Sequence, residues 1–285
     1  MYKRQPPLFK FGLLADIQYC DTDDRTNFSG SQVRRYRNAL NVARNAVEHF
    51  NLHHHKLEED TTTLNNTTTG GARSAKTRGI DFIVHNGDII DHQCAFDFQT
   101  DSFKPISEGR RQLADVMEIL DRSACRDWIF TIGNHELYNF TRRELIDGVD
   151  LKKEGIESYP KDGLTFKCAS EDGDLYYAKK PHEKWKVIIL NPYDVSIYSK
   201  GREQGLDEEA LSLLRKHNPN ADKWCDENPD VVQTERMSGT FPYFKDLEGL
   251  NGRWVPFNGG VGATQLEWLR AELKRSKENE EKVLI

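Results

Sequence analysis

Phe9 to Ala15 (FKFGLLA) is a short apolar run that predicts a buried strand ending at Asp16. Between Val33 and Phe50 the apolar residues fall at Val33, Tyr36, Leu40, Ala43, Val47 and Phe50, the spacing of one helix face. Asp81 to Val84 predicts a second strand, running into His85-Asn86-Gly87-Asp88. Ile106, Leu113, Val116, Met117 and Leu120 mark a second helix after Pro105, and Trp128 to Ile132 a third strand. Strands alternating with helices in this way predict an α/β layer built on a largely parallel sheet.

Later in the chain, Leu175 to Ala178 and Trp185 to Asn191 read as an antiparallel pair, and Asp207 to His217 as a helix. Thr264 to Lys274 reads as another helix, with Leu266, Leu269 and Leu273 on one face, and Glu281 to Ile285 (EKVLI) as a strand. Two stretches break the pattern. His53 to Gly79 is rich in His, Thr, Asn and Gly repeats and reads as a low-complexity disordered insertion, because it has too little apolar surface to hold a fixed shape. Pro219 to Gly262 has little periodicity and is a candidate substrate loop.

Composition narrows the function classes. Charged residues make up 30% of the 285 residues, the net charge is −6, and no basic stripe marks a nucleic-acid partner. No apolar run is long enough to span a bilayer, and the N-terminus reads as a strand rather than a signal peptide, so no membrane partner is expected. The five cysteines are odd in number, scattered and free of CxxC spacing, which predicts reduced thiols and a cytoplasmic setting. A monomer is expected.

The three predicted strands of the first layer all run into polar, oxygen-bearing residues, at Asp16-Ile17-Gln18, Gly87-Asp88 and Gly133-Asn134-His135-Glu136. In parallel α/β sheets ligands bind outside the carboxyl ends of the strands. Asp16, Gln18, Asp88 and Asn134 are oxygen donors of the kind that hard cations such as Mn²⁺ and Mg²⁺ favour. A carboxylate placed between two ions can bridge them, and Asp88 is the candidate. Gly87 and Gly133 are expected to let the backbone turn and to keep Cβ atoms away from an approaching phosphate.

Together D-x-Q, G-D-I-I-D and G-N-H-E, in that order, resemble the calcineurin-like metallophosphoesterases. With NFSG, RRYRNAL, HNPN and NGGVGATQLEWL they look like the manganese-dependent ADP-ribose/CDP-alcohol diphosphatases within that superfamily. The resemblance implies an α/β sandwich of two mixed sheets flanked by helices, spanning residues 9–285, and a site for two Mn²⁺ ions, with Mg²⁺ as a substitute. It makes Asp16, Gln18 and Asp88 ligands of one ion and Asp88 and Asn134 ligands of the other. His135 is then the catalytic residue that contacts phosphate or protonates the leaving group, with Glu136 orienting it. The implied reaction splits the diphosphate of nucleoside diphosphate-linked small molecules.

Further candidates are weaker. Asp91 reads as a supporting or helix-start residue; Arg35, beside Arg34 and Arg37, is a candidate phosphate contact, and Phe28 a candidate stacking partner for a nucleobase. His85 and His92 read as ordinary polar neighbours of the second motif. The superfamily completes its site with a strand-end histidine and a Gly-His-x-His motif, and neither is in this sequence; Glu281–Ile285 matches the strand before the first of them. The resemblance thus implies a domain incomplete at its C-terminus, with an exposed sheet edge. It leaves a catalytically incompetent or binding-only product as the alternative to an active hydrolase.

Overall fold

A computed structural model describes residues 9–26, 30–62, 79–97, 99–100, 102–151, 163–202, 207–224 and 243–285. Strand β1 (Phe11–Leu14) leads to a ribbon of β2 (Arg25–Thr26) and β3 (Val33–Arg34), then to helix α1 (Ala39–Thr62). After β4 (Phe82–His85) come a 3-10 turn at His92–Cys94, a second ribbon of β5 (Phe96–Asp97) and β6 (Ser102–Phe103), and helix α2 (Ile106–Leu120). Next are β7 (Trp128–Phe130), α3 (Asn134–Asn139), α4 (Arg142–Asp147), β8 (Tyr177–His182) and β9 (Trp185–Ile189). The chain continues through α5 (Glu208–His217), α6 (Ala221–Trp224), a 3-10 segment at Gly249–Arg253, α7 (Ala263–Glu278) and β10 (Lys282–Leu284).

One sheet has the order β1-β4-β7 and is parallel throughout, with Phe11 opposite Phe82 and Ile83 opposite Trp128. The other has the order β10-β9-β8, with β8 antiparallel and β10 parallel to β9. Among the described residues the first sheet is parallel and the second mixed, within the α/β layering that the resemblance implies. The first has long connections carrying α1 and α2, and parallel pairing needs such crossovers. β4 shows why the layers stack. Phe82, with Ile129, packs against Val187 and Ile189 of the second sheet, while its neighbour Ile83 turns the other way, towards Ile80, Cys125 and Phe50 of α1. Helix α2 adds Leu113, Val116, Met117 and Leu120 to the main core.

Helix α7 departs from its sequence pattern. Leu266 and Leu273 are exposed, and the buried side chains are Gln265, Glu272 and Ser276. The strand beneath explains this. Lys186 of β9 is buried, with its ammonium 3.0 Å from Glu272 and 3.1 Å from Glu281. Gln265 accepts from the Asn191 N–H at 2.9 Å and donates to its carbonyl at 3.1 Å. Turning the leucines inward would strand a buried ammonium without its carboxylates, a cost larger than the apolar gain.

Other expectations shift for local reasons. The first helix begins at Ala39 rather than Val33, because Val33 and Arg34 pair with Thr26 and Arg25 as a ribbon. The insertion assigned to His53–Gly79 is helical as far as Thr62, since each residue added to a formed helix gains a hydrogen bond; 63–78 lie outside the described residues. The Pro219–Gly262 stretch contains α6 and the 3-10 segment. It is braced by Asn218, which donates to the Trp254 carbonyl at 2.6 Å, and by Asn220, which donates to that of Lys245 at 2.6 Å; 225–242 lie outside the described residues. Among the described residues β10 pairs with β9 alone, and Phe11 (43%) and Leu13 (57%) of β1 are open to solvent. No described helix is long and apolar enough to cross a membrane.

The ends of β4 and β7 are tied by a carboxylate. Glu136, fully buried, accepts from the Asp88 N–H (2.8 Å), the Ile89 N–H (2.8 Å) and the Gly133 N–H (2.7 Å). The backbones also touch there, for a Cβ on Gly87 would run into Gly133 N, and one on Gly133 into the Asp88 carboxylate. These glycines make room for each other's loop and for the Asp88 carboxylate. At the end of β4, His85 is buried, with no partner for Nε2 among the described residues and its ring 6.3 Å from that of Phe130.

Two outcomes follow from this strand-end architecture. Glu136→Gln turns an NH₂ group towards backbone donors, and should cost about 2–4 kcal/mol of unfolding free energy by urea titration. Burial pushes the His85 imidazole down to about 3, so the folded chain holds it neutral while the unfolded chain protonates it near its ordinary value of 6.5. Its contribution to stability is therefore lost as pH falls below about 6.5, with a slope approaching about 1.4 kcal/mol per pH unit. Urea midpoints from pH 7 to 4 should fall less steeply for His85→Leu than for the wild type.

Candidate functional site

The three strand ends meet on one rim of the parallel sheet, with Asp88 after the central strand, as the motif order anticipates. The segment after β1 stays paired beyond the strand: the Asp16 N–H donates to the Gly87 carbonyl at 3.2 Å and the Gln18 N–H to the Asp88 carbonyl at 2.9 Å. Asp16 (φ 55°), Gln18 (φ 47°) and Asp88 (φ 57°) all lie in the left-handed region that non-glycine residues avoid. Such strain persists only where surrounding contacts enforce it, and it gathers at functional sites.

The side chains converge. Gln18 Nε2 lies 3.4 Å from Asp88 Oδ2, and Asp88 Oδ1 accepts from the His135 backbone N–H at 3.1 Å. Partial burial, and then the neighbouring Asp88 carboxylate, raise the Asp16 carboxyl above its ordinary value. Asn134 opens α3, donating from Nδ2 to the Tyr138 hydroxyl at 3.0 Å and accepting at Oδ1 from the Tyr193 hydroxyl at 3.4 Å. Both tyrosine hydroxyls are pushed up, chiefly by burial, so they remain donors. The N-cap is Gly133 and Asn134 is the first helical residue, so the asparagine does not cap the helix.

His135 is buried, with Nδ1 3.7 Å from Asp91 Oδ2 and Nε2 4.0 Å from Asp88 Oδ2. Burial lowers its pKa, while the Asp91 and Asp88 carboxylates pull the other way. The carboxylate facing the His135 ring is thus Asp91, not Glu136. Glu136 is committed to three backbone N–H groups; burial, then Asp88, raises its pKa, and those N–H bonds oppose the rise. Asp91, also fully buried, accepts at Oδ1 from the Gln93 N–H at 3.0 Å and lies 3.0 Å from His92 Nδ1. Burial alone would raise its carboxyl, but His92, His135 and the Gln93 N–H outweigh that and hold it well below the usual range. Asp91 therefore does more than start a helix.

Arg34 NH1 lies 3.6 Å from Asp91 Oδ2, half-buried beside the cluster, whereas Arg35 is exposed near Asp24, Val33, Arg37, Asn38 and Asn41. Successive residues of an extended ribbon point to opposite sides, so only one of the pair faces inward. Phe28 lies outside the described residues. Tyr193 is a site residue that the sequence motifs do not single out. It follows β9 by a few residues, and inspecting the strand ends of the second sheet as well as the first would find it.

The donor set suits a hard divalent cation: two carboxylates close enough for Asp88 to raise Asp16, with the amide side chains of Gln18 and Asn134 on the same rim. A second group of metal-ligand type, Asp91, His92 and His135, lies beside it, with one donor atom of each residue within 4.8 Å of the others.

Over 280 residues the chain is 28% identical to a manganese-dependent ADP-ribose/CDP-alcohol diphosphatase of Arabidopsis thaliana, covering 98% of this chain and 67% of that protein. It is 29% identical over 284 residues to the Bos taurus protein of the same name, covering 98% of this chain and 66% of the relative. The chain thus spans about two thirds of the length of these relatives. A crystal structure of a dimetal phosphatase from Danio rerio superposes with a TM-score of 0.65 at 28% identity, covering 98% of this chain and 69% of that one. The calcineurin-like phosphoesterase family matches residues 9–232, and this chain belongs to it.

Proposed function

We propose that the strand-end cluster holds divalent cations, Mn²⁺ before Mg²⁺, and serves to hydrolyse the diphosphate linkage of nucleoside diphosphate conjugates of the ADP-ribose and CDP-alcohol type. The observation that carries this reading is the meeting of Asp16, Gln18, Asp88 and Asn134 on one rim beside a buried histidine. Asp16, Gln18 and Asp88 would hold one ion and Asp88 with Asn134 a second. A bound divalent cation supplies Lewis-acid polarisation of a phosphoryl oxygen and lowers the pKa of water.

The chain's own residues supply the rest. His135 turns Nδ1 to Asp91 and Nε2 to the Asp88 side. Burial outweighs the Asp91 and Asp88 carboxylates and favours the neutral imidazole, so with its proton on Nδ1 the ring turns Nε2 to the cluster as an acceptor that can take up a proton there. Arg34 sets a guanidinium beside the cluster, where its planar fork suits phosphate oxygens. Tyr138 and Tyr193 fix the Asn134 amide, and Glu136 fixes the loops that carry Asp88 and His135. A cytoplasmic monomer is consistent with the four cysteines among the described residues, all buried and unbridged, and with the acidic balance.

The donor set also favours a second reading, cation binding without turnover, because amide oxygens are weak ligands and, among the described residues, the two carboxylates are joined by no imidazole other than His135. One pair of measurements separates the readings: Mn²⁺ titration calorimetry, and ADP-ribose hydrolysis under saturating Mn²⁺, on the wild type and Asp88→Ala. The wild type should bind Mn²⁺, and Asp88→Ala should weaken binding by about 10-fold or more. Turnover that disappears in Asp88→Ala supports the hydrolase. Binding without turnover supports the second reading, and a wild type that does not bind Mn²⁺ sinks both.

A further inference from the structure

His92 stands where sequence alone finds an ordinary polar neighbour, and the structure gives it a definite place. Its Nδ1 lies 3.0 Å from Asp91 Oδ1, and its ring meets the His135 ring edge-on, with centroids 5.1 Å apart and planes at 72°. The Asp91 carboxylate is divided between partners. Oδ1 takes the His92 ring and the Gln93 N–H, while Oδ2 faces His135 Nδ1 at 3.7 Å and Arg34 at 3.6 Å. Asp91 is fully buried, and among the described residues neither its Oδ2 nor His135 Nδ1 has a hydrogen-bond partner, so the two face each other at ion-pair distance. A carboxylate whose one oxygen is anchored cannot rotate freely, so the other stays aimed at the His135 ring.

We propose that His92 is a positioning residue for His135: its Nδ1–H anchors Asp91 Oδ1 and its ring closes one side of the His135 pocket, so that Asp91 Oδ2 keeps the His135 proton on Nδ1 and Nε2 turned to the strand-end cluster. The role assigned to His135 rests on the function proposed above, but the anchoring itself does not. His92 is one-quarter exposed and sits in a short 3-10 turn, a position that tolerates substitution better than buried Asp91 or His135. Gln93 supplies a fixed second donor to Oδ1, so removing His92 loosens the carboxylate without stranding it.

The test reads the His135 ring directly. In metal-free protein labelled with ¹⁵N at histidine, the His135 nitrogens should report a single tautomer protonated at Nδ1. His92→Phe keeps a ring and loses the donor, and should move both His135 nitrogen shifts towards the average of two tautomers. His92→Asn restores a donor at about the Nδ1 position and should return them to the wild-type values. If the phenylalanine is not accommodated, judged by circular dichroism, His92→Ala takes its place as the donorless variant. Where turnover is measurable, the donorless variant should lower kcat about 10-fold with KM unchanged, and His92→Asn should recover most of the loss. Unchanged His135 shifts in a folded donorless variant would overturn the proposal, as would equal shifts in His92→Asn. A chain that shows the His92-dependent tautomer yet binds no Mn²⁺ would refute the metal reading while leaving this one standing.

Discussion

The cluster depends on one buried carboxylate. Glu136 lies on α3, after β7, yet two of its three hydrogen bonds go to the backbone after β4. A carboxylate with three N–H donors is among the strongest ties available in a protein interior, since charge-assisted bonds are short and the low dielectric strengthens them. It acts across a contact that tolerates no Cβ, where Gly87 and Gly133 bring two strand ends into touch. The tie fixes Asp88, the central donor, by its own N–H, and Asp88 in turn receives the His135 N–H. The donors of two strands therefore move as one body.

Around that tie the charges are arranged in two tiers. Asp16, nearer solvent, is made costlier to ionise by partial burial and then by the Asp88 carboxylate, a situation that a divalent cation relieves. Asp91 lies deeper and is held as an anion by His92, His135 and a backbone N–H. The outer tier is poor in cationic partners and the inner tier rich in them. Two sets of carboxylates a few residues apart thus take different tasks, and surroundings rather than residue type decide which.

Much of this is legible in the sequence where the signal is local. Apolar runs ending in Asp, Gly-Asp and Gly-Asn-His-Glu locate all three parallel strands and the rim where they meet, because a strand end and its first loop residues are contiguous in the chain. Signals that depend on a distant partner are not legible. The leucine stripe of α7 promises an apolar face, but Lys186, more than seventy residues earlier, selects the polar one. The side of the ribbon that Arg34 faces is set by pairing with Arg25, which the periodicity of the arginine stretch does not reveal. Sequence pairs Glu136 with its neighbour His135 because nothing in its vicinity advertises the N–H groups of a loop nearly fifty residues away.

The left-handed backbone at Asp16, Gln18 and Asp88 sets stability against chemistry in this chain. At each of these positions glycine would relax the main chain and remove a donor, so pressure for a more stable fold and pressure for a working site favour different residues. Lineages released from the need for the site should lose these side chains early, while the buried tie at Glu136, which serves folding itself, should outlast them. The order in which the two kinds of residue decay would date the loss of function in any descendant of this chain.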